Sequence, residues 1–158
     1  MRNIIVVSTL LLSGLIANNY STSSEWLMET NTTQEKFKKI QKQFRGFDLA
    51  MVEVGYRFNS FYFAIKDENY PLANYQWDKI KKAIENGIER RPKRAKNSKN
   101  IFLDTQYISM KKALEKKESQ LIWQEYNSTK VNCNACHVAE NVPFIHVTDP
   151  EHRWQPIK

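Results

Sequence analysis

The sequence predicts an all-α protein, an antiparallel four-helix bundle, and three observations predict it. Apolar residues recur three and four apart over four separate stretches, which is the helical period. Short polar breaks join those stretches, so consecutive helices should pack side by side and run in opposite directions. No alternating apolar and polar run of useful length occurs, and four glycines and five prolines in 158 residues are too few for a turn-rich β sandwich. With 41% hydrophobic residues, a chain of this length can build one domain with a real core.

The first residues, "MRNIIVVSTLLLSGLIA", are set apart from the fold. Arg2 is followed by a mostly apolar run from Ile4 to Ile16 and then by polar Asn18 and Asn19. That is the anatomy of a secretory signal over residues 1–17, and the run is short for a membrane span. An uncleaved anchor is the competing reading. Export would place the chain in an oxidising compartment, a bacterial periplasm. Residues 18–31 are Ser/Thr-rich and read as a flexible leader.

The bundle is expected over residues 32–140. Thr32 or Thr33 can cap the first helix, with Glu35 in its first turn. Phe37, Ile40, Phe44, Phe47, Met51, Val54, Phe58, Phe61 and Ile65 then form an unbroken heptad seam on one long helix. Gly55 within it could admit a close neighbour. "KDENYP" ends that helix, and Pro71 suits the first turn of the second. Ala73, Trp77, Ile80 and Ile84 share a face there, with Gly87 weakening the end. The run "RRPKRAKNSKN" carries six positive charges and no acid, and is expected to be a solvated loop. A third helix aligns Leu103, Tyr107, Met110 and Leu114. After "EKKES", a fourth starts near Ser119 and aligns Ile122, Tyr126, Thr129, Cys133 and Cys136. Residues 141–158 contain three prolines, have no helical period and are expected to pack on the domain as a tail.

The chain's only two cysteines, Cys133 and Cys136, stand three apart with His137 directly after them. C-x-x-C-H is the attachment signature for c-type haem. Positions three apart share one face of a helix, so both thiols can reach the two vinyl groups of one porphyrin. The adjacent histidine can then supply an axial nitrogen to iron. Two other chemistries compete. A thioredoxin-type Cys-x-x-Cys pair wants a strand before it and a helix after it, whereas this motif ends a helix. A structural zinc site wants four ligands, and the nearest spare ones are His146 and His152.

A haem motif near the end of the last helix of a four-helix bundle resembles the cytochrome c′ group. "RFNSFYFAIKDENYPLANYQWDKI", together with "CNACHVAENVPFIHV", also resembles a family of small monohaem cytochromes with this bundle. The cytochrome c′ resemblance implies a periplasmic protein, often dimeric, that binds NO or CO at a crowded distal face. The group's motif usually carries a basic residue four after the axial histidine, and here that position is Asn141.

The residue facing the other side of the iron decides between carrying electrons and binding a gas. If Ser119 is level with Lys66, then His137 is level with residue 48. Phe44, Phe47, Met51 and Val54 should then surround the distal face. A Met51 thioether can ligate iron, and seam core is its competing reading. Arg57 could pair a haem propionate, or stay solvated. His146 or His152 could give a second histidine ligand if the tail folded over the haem. The basic run between Arg90 and Lys99 lacks the interleaved aromatics of a nucleic-acid site. It suits an acidic redox partner, since complementary charge speeds encounter. The first turns of the seam, Phe37 to Phe44, are expected to pack on a second subunit. The expected activity is one-electron transfer through a single covalent haem c, with gas binding as the alternative and no catalysis.

Overall fold

The structure, a computed structural model, describes residues 25–158, so the predicted signal segment and residues 18–24 of the leader lie outside the described residues. The chain divides into two compact units, Met1–Gln41 and Lys42–Lys158. In the first unit a turn at residues 25–29 precedes α1 (Thr33–Gln43). Thr32 caps it: its hydroxyl accepts from the Glu35 backbone N–H at 3.2 Å and donates to the Glu35 carboxylate at 3.1 Å. No residue of α1 is buried. No helix among the described residues is long and apolar enough to cross a membrane.

The second unit is four helices packed against each other. They are α2 (Phe47–Lys66), α3 (Tyr70–Arg90), a composite helical arm, and α6 (Ser119–Ala139). The arm runs end to end through a 3₁₀ turn (Pro92–Arg94), α4 (Ala95–Asn97), a π-helical stretch (Ser98–Gln106) and α5 (Tyr107–Lys116). Asn69 caps α3 by accepting from the Leu72 N–H at 3.0 Å, and Pro71 sits in the first turn, as the sequence indicates. Short links force reversal, and the contacts register it. Arg57 meets Gln76, while Phe47 and Ala50 meet Gly87, so numbers rise on α2 as they fall on α3.

Three expectations are corrected. The seam from Phe37 to Ile65 is not one helix. It breaks at Arg45, which adopts a left-handed φ of 56°, and at Gly46. Asp48 holds the break by accepting from the Gly46 N–H at 3.0 Å and pairing with the Arg45 guanidinium. The basic run after Arg90 is not a loop. Pro92 starts the arm, and Ser98 and Phe102 are buried, so the segment is held by core contacts that its charge conceals. The π stretch has a wider turn than an α-helix, which keeps residues four apart on one face. Phe102, Gln106 and Met110 therefore point inward together, while Leu103 and Tyr107 are only half-buried. Finally, the close approach occurs at Gly87 instead of Gly55. A Cβ on Gly87 would lie 2.9 Å from the Ala50 Cβ, whereas one on Gly55 would meet nothing within 4 Å.

The core is aromatic and lies at the α2–α3 hairpin end. Phe61, Trp77 and Tyr126 are fully buried with Ile65, Ile80, Met110 and Ile122. Burial of each such side chain is worth about 1.5–3 kcal/mol. Phe58 stacks on Tyr126 at 5.3 Å, and Tyr62 contacts Trp123 and Tyr126 at 5.6 and 5.4 Å. Ring stacking is how α2 meets α6. The tail then straps the same two helices. It bonds α6 through Asn134 and Tyr126, and α2 through Asn59 and Asp67.

Candidate functional site

Cys133, Cys136 and His137 all fall on the last two turns of α6 and are half-buried. The face that buries Ile122, Tyr126 and Thr129 continues through Cys133, so the packing period delivers this thiol to the bundle side. Burial pushes the Cys133 thiol up to about 12, with the neighbouring Cys136 adding to the rise. Burial also raises the Cys136 thiol, against the opposing charge of Arg94. A redox-active Cys-x-x-Cys pair usually has one thiol shifted down, and here both are shifted up. Among the described residues, no group of three or more His, Cys, Asp or Glu is placed to hold a metal ion.

His137 is oriented by the chain itself. Its Nδ1 lies 2.7 Å from the Ile145 carbonyl oxygen, which can only accept, so Nδ1 carries the proton. In the neutral ring this leaves the lone pair on Nε2, the tautomer a metal-ligating histidine needs. The end of α6 makes this contact by a Schellman turn. The Val142 N–H bonds the His137 carbonyl at 2.9 Å and the Asn141 N–H bonds that of Val138 at 3.1 Å. Asn141 sits at the left-handed position of this turn with φ 61°, a conformation asparagine tolerates better than lysine or arginine.

Register places the α2 residues. Counting back from the Phe58–Tyr126 stack on α2 and forward on α6, Met51 is level with Cys133 and Phe47 with His137. Phe47, Met51 and Val54 are half-buried and pack on the edge of the core. Met51 is one turn, about 6 Å, from the His137 level. Phe44 lies in the link before α2 and is 58% exposed. Arg57 is engaged elsewhere: it donates to Gln76 at 3.3 Å and pairs with Glu53 at 3.5 Å.

His146 and His152 are exposed. His146 follows the residue whose carbonyl takes the Nδ1 proton, so its backbone is on the side of the ring away from Nε2. His152 gives its carbonyl to Asn59 at 2.8 Å, at the level of the aromatic stack and about 16 Å along α6 from His137.

Other partners of the motif were not legible in the sequence. Glu140 accepts from Asn97 at 2.8 Å and pairs with Arg94, tying the end of α6 to the start of the arm. Asn134 makes two bonds to Val147. Neither contact has a periodic signal, because each crosses to a segment without the helical repeat. Of two surface clefts, one lies beside Lys81, Leu103 and Tyr107 and the other beside Ser109, Asn127 and Asn132, and neither is lined by a cysteine or by His137. Comparison with known protein families, curated proteins and solved structures finds no match to this chain.

Proposed function

We propose that the chain is an exported, periplasmic monohaem c-type cytochrome of cytochrome c′-like architecture that transfers single electrons. The observation that carries the reading is the 2.7 Å contact of His137 Nδ1 with the Ile145 carbonyl, which would leave Nε2 for iron, on the same helix as the two thiols. Cys133 and Cys136 would hold haem c as thioethers and His137 would bind its iron. When bound, the haem supplies a one-electron Fe(III)/Fe(II) couple. Phe47, Met51 and Val54, half-buried at the edge of the core, would offer the haem an apolar wall. Met51 is the residue of that wall able to ligate iron.

The motif lies at the half-exposed end of the bundle, where a partner can approach. Lys93, Lys96 and Lys99 are exposed on the arm whose Arg94 is tied to Glu140. They support docking by an acidic redox protein close to the motif. A second reading, reversible binding of NO or CO, is favoured by the register, which sets Phe47 and not Met51 level with His137.

Optical spectra of the purified protein, oxidised and reduced, with and without CO, test both. The electron-transfer reading expects one covalently bound haem and a low-spin spectrum indifferent to CO. Met51→Ala should then turn the spectrum high-spin. A ferrous spectrum that is high-spin in the wild type and shifts on CO replaces electron transfer with gas binding. Absence of covalent haem from protein matured with the haem-attachment machinery removes both.

A further inference from the structure

We propose that Asn134, the first of the two residues between the cysteines, is a positioning residue that orients His137 through the C-terminal tail. Its side-chain amide makes two bonds to one tail residue: Oδ1 accepts from the Val147 N–H at 2.7 Å, and Nδ2 donates to the Val147 carbonyl at 3.1 Å. This is the pairing one strand offers another, so the Val147 backbone cannot slide or rotate without losing both bonds. Two residues earlier in the tail, the Ile145 carbonyl accepts from His137 Nδ1 at 2.7 Å. Two residues of chain span at most about 7 Å, so fixing Val147 leaves that carbonyl little room to leave the imidazole.

The other end of the segment is fixed too. The Val142 N–H bonds the His137 carbonyl at 2.9 Å, and the Ile145 N–H bonds that of Val142 at 3.1 Å. Residues 142–147 therefore form a short loop closed on α6 at both ends, with His137 inside it. Val147 packs on the edge of the core at one end of the loop, but the stretch before it is not packed. Residues 143–146 are all exposed, Phe144 at 80% and Ile145 at 51%. Hydrogen bonds orient that stretch, and apart from the His137–Ile145 bond itself the Asn134 pair is the one made by a side chain.

The relay needs only the chain's own atoms. Its consequence at iron rests on the haem reading above. A histidine whose Nδ1 proton is donated to a carbonyl is a stronger base at Nε2 and favours the ferric state. Outer-shell partners of this kind change ligand binding by about 10–100-fold, and a tenfold loss of preference for ferric iron is about 59 mV in a one-electron couple.

The test compares wild type, Asn134→Ala, Asn134→Asp and Asn59→Ala as purified full chains. Asp keeps the acceptor for the Val147 N–H and loses the donor, so it should rescue part of the effect, and it carries the comparison if the alanine variant does not fold. Asn59→Ala cuts the tail's far attachment, at His152 and Trp154, without touching residues 142–147. Spectroelectrochemical titration should place Asn134→Ala at a more positive potential by about 59 mV, a tenfold change. Asn134→Asp should fall between, and Asn59→Ala should match wild type in potential while unfolding at lower urea. A wild-type potential for both Asn134 variants, or an equal shift from Asn59→Ala, overturns the proposal. If the purified chain carries no covalent haem, the haem reading fails by itself. Long-range proton–nitrogen coupling at His137 then decides the relay: loss of the Nδ1–H tautomer in Asn134→Ala supports it, and its retention overturns it.

Discussion

Alanine at Gly55 and alanine at Gly87 should move stability in opposite directions. Both glycines lie inside helices, α2 and α3, where replacing glycine by alanine is worth about 0.5–1 kcal/mol. At Gly55 the new methyl meets nothing within 4 Å, so this gain should appear in full. At Gly87 it would lie 2.9 Å from the Ala50 Cβ and 2.9 Å from Phe47 Cδ2. Carbon atoms prefer about 3.5–4.0 Å, so something must give by more than half an ångström. Ala50 has no rotamer to change, which leaves movement of Phe47 and separation of α2 from α3. Overpacking of this kind costs about 1–3 kcal/mol, so Gly87→Ala should lose about 1 kcal/mol net. Urea unfolding measures both. With a slope of about 1–3 kcal/mol per molar, the midpoints should part by roughly 1 M. The reasoning fails if Gly87→Ala is as stabilising as Gly55→Ala, because the close approach of α2 and α3 would then not exist.

Two further outcomes follow from backbone and charge. Lys117 holds φ at 55° in the link between α5 and α6, and Lys117→Gly should stabilise the fold by about 1 kcal/mol, read as a higher urea midpoint at unchanged slope. The Asp149 carboxyl is held below its ordinary value by the Lys130 ammonium at 2.6 Å and, more weakly, by the Tyr126 hydroxyl at 3.0 Å, against the opposing effect of burial. Its contribution is present above the unfolded value of 3.8 and is lost as pH falls through the lower folded value. Amide shifts of Val147 and Trp154 should therefore be constant above pH 4 and move below it, while Asp149→Asn should show the loosened shifts at neutral pH.

The sequence was most legible where one face of a helix meets the core. Ala73, Trp77, Ile80, Ile84, Ile122, Tyr126 and Thr129 are buried as their period requires, and α6 begins at Ser119 as expected. It was least legible where the backbone departs from the α period. Apolar spacing continues through Arg45 and Gly46, so nothing in the pattern marks the left-handed residue that splits the seam. Charge hid the start of the arm, since Lys and Arg can flank buried Ser98 and Phe102 while keeping their own heads in water. The motif itself is plain in sequence. What orients it is not, because Asn134, Ile145 and Val147 are joined only after an irregular tail has folded back.

The two ends of the bundle are built differently, and the difference bears on what the motif can do. At the hairpin end, Phe61, Trp77 and Tyr126 interlock with almost no exposed surface, which leaves no room for another large apolar group. Toward the motif, α2 carries Phe47, Met51 and Val54 and α6 carries Cys133 and His137, and all five are half-buried. A sequence that wanted only stability would extend the aromatic interlock along the whole seam. Here the aromatic stack and the tail strap join α2 to α6. On the haem reading proposed above, the porphyrin would have to enter at this half-buried end beside Cys133 and Cys136, and the orientation of His137 would rest on the hydrogen bonds of the tail.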